Sequence, residues 1–224
     1  MNLLAIDSAC RILSVAVSNG DELQYSLSNS EMMQSETIMD CIDSTMKKAC
    51  LKPKDLNAVL CMKGPGSFTG LRIGYSIAKG LSLSLSIPFL PIPTLDCIAF
   101  NLCENNIILA VIESRKNAYY YSFFNGNERL IEDAEADSGK LAKKIIEFNK
   151  DNKKNIILTG YGCDKLYDTL PQEIKDTLTL KYENKGNAKE LIAIAKAIKI
   201  QDNDFTEYLY SGPQYIRGIN DEPN

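Results

Sequence analysis

The sequence predicts an α/β protein built from two tandem copies of one β-β-β-α-β-α-β-α unit. Apolar runs of strand length alternate with stretches of helical periodicity along most of the chain. The opening segment reappears in outline 106 positions later: Leu3, Ile6 and Ser8 meet Leu109, Ile112 and Ser114, and Asp7 meets the acidic Glu113, with no gap needed. An Asn-Gly pair suited to a tight hairpin turn stands at 19–20 and again at 125–126, each time followed by glutamate, Glu22 or Glu128.

Taken in order, each copy opens with an apolar strand ending in a carboxylate, then a second strand, the Asn-Gly turn and a third strand. In the first copy, apolar residues at helical spacing predict a helix over 31–50. A strand at 57–62, a helix at 67–86, a strand at 88–92 and a helix from 94 to 104 follow. The second copy predicts a helix at 138–149, a strand at 155–159, a helix at 162–169, a strand at 178–182 and a helix at 187–199. Three antiparallel strands followed by alternating helices and strands form a mixed sheet covered by helices, the ribonuclease-H-like layer plan. Two in tandem give the actin-like ATPase architecture, shared with sugar kinases. The division falls near 103–106, giving an N-terminal subdomain of residues 1–104 and a C-terminal one of 105–224 that ends in a tail, 201–224.

Composition narrows the chemistry. With 224 residues, 45% of them hydrophobic, the chain can bury a sizeable core. A net charge of −4 gives no overall pull toward nucleic-acid phosphates, so any RNA contact is local or shared with a partner. The chain has no histidine, which removes the commonest general base and the commonest metal ligand; no catalytic or metal residue is assigned. Seven cysteines without a CxxC pair read as reduced, buried thiols. Asp7 and Arg11 interrupt the N-terminal apolar run, and no hydrophobic run is long enough to span a bilayer, so a cytoplasmic protein without membrane attachment is expected.

Two motifs bear on binding. Where ATPases of this architecture carry Asp-x-Gly-Thr in the first hairpin, this chain has Asp7, Ser8, Ala9 and Cys10. Without the glycine, close approach to a phosphate is lost, and a structural role for Asp7 is expected. The segment Gly64, Pro65, Gly66, Ser67, Phe68, Thr69, Gly70, Leu71, Arg72 follows a strand and opens a helix. It lacks the lysine of a P-loop. It reads as a tight turn with Ser67 or Thr69 as helix cap and Arg72 projecting from the first turn. In the helix it opens, Gly70, Gly74 and Ala78 stand four apart and are flanked by Ile73, Ile77 and Leu81. The preceding helix carries Met32, Met33, Ile38, Met39, Ile42 and Met46, an apolar surface wider than one sheet-facing stripe requires. Both faces are expected to receive a partner, and bulky residues at Gly74 and Ala78 to weaken the pairing. Lysines between 140 and 154 are expected to form a solvated helix face.

Taken together, LLAIDSA at the start, QSETIM at 34–39, GPGSFTGLRIG at 64–74, IESRKNAYYYSFF at 112–124 and PQYIR at 213–217 resemble the bacterial tRNA threonylcarbamoyladenosine biosynthesis family TsaB, also called YeaZ-like. The resemblance runs nearly end to end. It implies a noncatalytic paralogue of TsaD, the enzyme that transfers threonylcarbamoyl to the adenosine beside the anticodon of certain tRNAs. It further implies pairing with TsaD through the N-terminal helices, participation of the ATPase TsaE, homodimers when TsaD is absent, and tRNA contact through the complex. No cofactor is expected in the isolated chain, with ATP only in the complex. The two metal-binding histidines of the catalytic paralogue fall on Thr94 and Ile98 here, and Gln34 stands where family members often have histidine. A stand-alone actin-like ATPase or sugar kinase is the alternative from architecture, and a peptidase is a third reading.

Overall fold

A computed structural model describes residues 1–28, 34–100, 102, 106–152, 155–181, 187–198 and 206–216. It contains the duplicated ribonuclease-H-like plan, with two mixed sheets, each carried by its own compact unit. The first unit comprises β1 (Leu3–Asp7), β2 (Leu13–Asn19), β3 (Glu22–Ser28), α1 (Gln34–Lys48), β4 (Ala58–Gly64), α2 (Phe68–Leu85) and β5 (Phe89–Pro93), with α3 (Thr94–Ala99) at its boundary. The second holds β6 (Ile107–Arg115), β7 (Ala118–Asn125), β8 (Glu128–Arg129), β9 (Ala134–Asp137), α4 (Ser138–Asn152), β10 (Ile156–Tyr161), α5 (Cys163–Thr169), α6 (Gln172–Lys175) and β11 (Leu178–Lys181). Two later helices, α7 (Ala188–Ala197) and α8 (Thr206–Tyr210), belong to the first unit.

The first sheet runs β3-β2-β1-β4-β5, with β1 antiparallel to β2 and parallel to β4. β1 reads LLAID and is buried throughout, as a central strand covered on both faces must be. The second sheet runs β11-β10-β6-β7-β8, again parallel on one side of its first strand and antiparallel on the other. Here the third strand is split. β8 pairs with the end of β7 and β9 with its start, around an interruption where Ser122 Oγ donates to Ile131 O at 2.7 Å and Arg129 pairs with Asp133. Among the described residues no helix is long and apolar enough to cross a membrane.

Two expectations are corrected. The 106-residue match slips by one across the first hairpin: Leu3 opposes Ser18, whereas Leu109 opposes Phe123 rather than Phe124. Asp7 and Ser14 close the first ladder across six residues, while the second closes at Arg115 and Ala118, after an irregularity beyond Glu113. The halves are also not 1–104 and 105–224, because the units are Met1–Cys97 with Lys185–Gln214 and Ile98–Asn184 with Tyr215–Asn224. α7 packs on β1, β2 and β4, burying Leu191, Ile192 and Ala195 there. A linear boundary cannot express such a return of the chain. Positions 103–105 of the expected division at 103–106 lie outside the described residues, as do Met32, Met33, Lys153, Lys154 and the tail positions 201–205 and 217–224.

The described part of the tail is docked. Tyr208 and Leu209 pack against the first core, Gln214 N donates to Lys63 O at 2.7 Å, and Lys79 Nζ donates to Leu209 O at 2.8 Å and to Ser211 O. A cation on the last carbonyls of a helix satisfies acceptors that the helix itself leaves open. We expect Lys79→Met to raise hydrogen exchange over 208–214 about tenfold while α2 stays protected, since a charged hydrogen bond contributes about 1.5–3 kcal/mol. Unchanged protection would refute this role.

Candidate functional site

Asp7 ends the central strand at the carboxyl edge of the sheet, where open α/β sheets take their ligands. In this chain the carboxylate is wholly buried and committed to backbone. Oδ1 accepts from Ala9 N at 3.1 Å and Oδ2 from Asn187 N at 2.8 Å. On the neighbouring strand Ser14 Oγ accepts from Ala188 N at 3.1 Å. Asn187 is the N-cap of α7 and its own side chain makes no cap, so Asp7 and Ser14 supply the acceptors the start of that helix requires. The helix dipole favours an anion there. Burial nevertheless dominates, and it pushes the Asp7 carboxyl from an ordinary 3.8 up to about 6; the two amide bonds oppose that rise and nearby Glu190 adds to it.

The loop before α2 closes over the same hairpin. Ser67 N donates to Ala9 O at 2.6 Å and Ser8 Oγ donates to Gly70 O at 2.8 Å. A Cβ at Gly66 would lie 2.4 Å from Ala9 O and 3.0 Å from Ala9 Cβ, so the two backbones meet only because Gly66 carries no side chain. Ser67 is the helix cap, its Oγ accepting from Gly70 N at 3.2 Å; Thr69 is exposed. Gly64 and Pro65 are joined by a cis peptide bond, and Gly64 N donates to Thr94 Oγ1 at 3.2 Å. Arg72 does project from the first turn, and its guanidinium lies 3.7 Å over the Phe68 ring. Asp7, Ser8, Ala9 and this loop therefore form one assembly, in which the side-chain oxygens of Asp7, Ser8 and Ser67 are bonded to the chain's own backbone.

The helix faces expected to meet a partner are turned the other way. Ile38, Ile42 and Met46 lie in the first core, while Met39 is half-exposed. Gly70, Gly74 and Ala78 are buried as well. A Cβ at Gly74 would fall 2.3 Å from Ser8 Oγ, so this strip lets α2 sit close over β1 rather than over a foreign helix. The 3.6-residue period marks stripes on a helix without saying which one meets the sheet. Ile73, Ile77 and Leu81 are partly buried against the core. Beside them α2 exposes Arg72, Ser76, Gly80 and Leu83, the last 63% exposed, and a Cβ at Gly80 meets nothing within 4 Å.

A family model described as TsaD, tRNA N6-adenosine threonylcarbamoyltransferase, matches residues 31–217. The tRNA threonylcarbamoyladenosine biosynthesis protein TsaB of Buchnera aphidicola subsp. Schizaphis graminum is 35% identical over 199 residues, which are 85% of this chain and 90% of that protein. The chain belongs to the TsaB family. A tRNA N6-adenosine threonylcarbamoyltransferase of Kosmotoga olearia is 31% identical over 108 residues, 41% of this chain and 33% of that enzyme. Among solved structures, a Pseudomonas aeruginosa protein described as having similarity to peptidase YeaZ superposes with a TM-score of 0.77 at 18% identity, covering 96% of this chain and 99% of its own. That likeness shows the fold alone.

The two positions singled out by comparison with the catalytic paralogue are both buried, Thr94 with Gly64 N on its hydroxyl and Ile98 beside it in α3. Among the described residues no group of three or more His, Cys, Asp or Glu side chains is arranged to hold a metal ion. The side chain of Gln34 is outside the described residues. In the lysine-rich helix α4, Lys140 pairs with Asp137 at 3.5 Å and Lys144 with Glu147 at 2.9 Å, all exposed. Sequence reasoning missed Ser14, Asn187 and Lys79. Asp7 and Asn187 are 180 residues apart, and no local pattern links them. One signal was available: Asn187 opens a helical run with Glu190 three residues on, the pattern of a helix start.

Proposed function

We propose that this chain is the noncatalytic subunit in the formation of N6-threonylcarbamoyladenosine next to the anticodon of tRNAs, and that it works by holding the catalytic paralogue TsaD. The observation that carries the reading is the fate of Asp7. Its two oxygens are committed to Ala9 N and Asn187 N, and Ala9 is buried under the backbone of Gly66 and Ser67 where an ATPase hairpin needs room for phosphate. Membership of the TsaB family supplies the pathway. On this reading TsaE joins the pair, nucleotide is bound only in the complex, tRNA is reached through the complex, the protein is cytoplasmic, and a homodimer forms when TsaD is absent. The contact is assigned to the outward side of α2, with Leu83, Gly80, Ser76 and the open edges of Ile73 and Ile77, together with Met39 of α1.

The test is reconstitution. Purified TsaD from the same organism, TsaE, ATP, threonylcarbamoyl donor and tRNA are expected to give modified tRNA only when this chain is added. Full activity without it would overturn the proposal. Titrating the isolated chain with ATP addresses the kinase alternative separately, with no micromolar binding expected; saturable binding with turnover would revive it.

A further inference from the structure

The first sheet ends at β3, which among the described residues pairs with β2 and with no other strand. Its face is unusually apolar for an outer strand. Leu23 and Leu27 are 41% and 44% exposed, and Tyr25 stands between them, half-buried, with Lys189 Nζ 4.7 Å from its ring centroid. These three lie opposite Ser18, Ser14 and Ala16 on β2, on the face that Ser14 shares with α7. The other face is occupied by α1, where Thr45 Oγ1 meets Ser26 Oγ at 2.8 Å.

The ladder also fixes where the main chain of β3 points. Asn19 and Glu22 close a two-residue turn whose first residue, Gly20, has φ +59°. The closing residues of such a turn form a hydrogen-bonded pair, and the pairs alternate along the ladder. The main-chain groups of Glu22, Gln24, Ser26 and Ser28 therefore turn toward β2, and those of Leu23, Tyr25 and Leu27 turn toward the outer edge.

The sequence of this edge, ELQYSLS, is symmetric in character about Tyr25. An antiparallel copy centred on that residue sets Tyr25 against Tyr25, each Leu23 against Leu27, Gln24 against Ser26 and Glu22 against Ser28. Apolar residues meet apolar ones on one face, polar meet polar on the other, and no like charges stand directly opposite. The outward main-chain groups fall at the same three positions in both copies, so the hydrogen-bonding register and the side-chain register agree. Edge strands that stay solitary are blunted by charge, proline or a bulge; β3 has a single charge, Glu22 at its first position, no proline and a regular ladder.

We propose that β3 is a self-association edge, at which two copies of this chain join their first sheets by antiparallel β3–β3 pairing about a two-fold axis at Tyr25. This surface is separate from the side of α2 assigned to TsaD, so a chain can use both at once. An isologous contact of this kind closes on itself as a dimer.

The test begins with the full chain carrying Gly80→Arg and Leu83→Asp, which removes association through α2. Sedimentation velocity across the micromolar range is expected to show a concentration-dependent dimer. Adding Leu23→Lys with Leu27→Lys sets like charges opposite each other twice across the axis and is expected to weaken the dimer about tenfold or more. Adding Leu23→Glu with Leu27→Lys instead sets opposite charges against each other, and is expected to retain a dimer that salt weakens. Both pairs alter the same half-exposed positions, so a folding defect would strike both alike. A monomer at every concentration once α2 is blocked, or equal behaviour of the two charge pairs, would overturn the proposal. Failure of the TsaD reading would leave these outcomes unchanged.

Discussion

Gly74→Ala is expected to destabilise the chain by about 2 kcal/mol, whereas Gly80→Ala, further along the same helix on its exposed side, is expected to be neutral or slightly stabilising. Intrinsic propensity predicts a gain at both positions, since alanine is the better helix former. Position on the helix decides otherwise. A Cβ at Gly74 falls 2.3 Å from Ser8 Oγ, and Ser8 is nearly fully buried and holds Gly70 O at 2.8 Å. The hydroxyl cannot swing away without leaving its own buried donor unsatisfied, which costs about 1–3 kcal/mol. Ser8 Cβ lies 3.6 Å from the same point, an ordinary contact, so Ser8→Ala removes the clash. The double variant Ser8→Ala with Gly74→Ala should therefore be at least as stable as Gly74→Ala alone. Urea denaturation of the four proteins measures this directly, and additive losses would contradict the geometry. The same contrast separates folding from pairing: Gly80→Arg with Leu83→Asp is expected to leave the urea midpoint unchanged and to weaken TsaD binding about tenfold or more.

Asp7→Asn is expected to change the pH dependence of stability. With the carboxyl raised in the folded state from 3.8 to about 6, the native protein binds more protons than the unfolded chain between those values. The stabilising contribution of the protonated form is then fully present below pH 3.8 and is lost as pH rises through about 6. A displacement of that size corresponds to about 3 kcal/mol. Relative to the parent, the Asn variant should become more favourable by roughly that amount on going from pH 4 to pH 7.5. The groups around the carboxyl are Glu190 of α7 and the thiols of Cys10 and Cys97, both raised by burial first and by Asp7 second, so they stay protonated across this range. A parent-minus-variant difference flat with pH would show that Asp7 is not buried as a capping group. Asp7→Ala removes both acceptors and should be the more damaging change at pH 4, where the protonated parent is at its best.

Much of this molecule was legible in its sequence because the signals were local. LLAID, IILAVI and the Asn-Gly turns announced the duplicated strands, and Ser67 announced the start of α2. The missing glycine at Ala9 pointed to a structural Asp7, and in the structure its two oxygens accept from Ala9 N and Asn187 N. The split of β8 from β9 was not legible, because it depends on how Arg129, Ile131 and Asp133 settle against β7. Nor was the short α6, whose four residues are too few to show a period.

By itself, then, the sequence determined the order of elements, their doubling, the absence of histidine chemistry and the family. Tertiary structure alone decided that the Gly70, Gly74, Ala78 strip faces β1, that Ile38, Ile42 and Met46 belong to the core, and that α7 returns to the first unit to be capped by Asp7 and Ser14. The physical reason is common to all three. Hydrophobic periodicity records that a helix has an apolar side, but which neighbour covers it depends on distances between residues far apart in the chain, such as the 2.8 Å that joins Asp7 to Asn187.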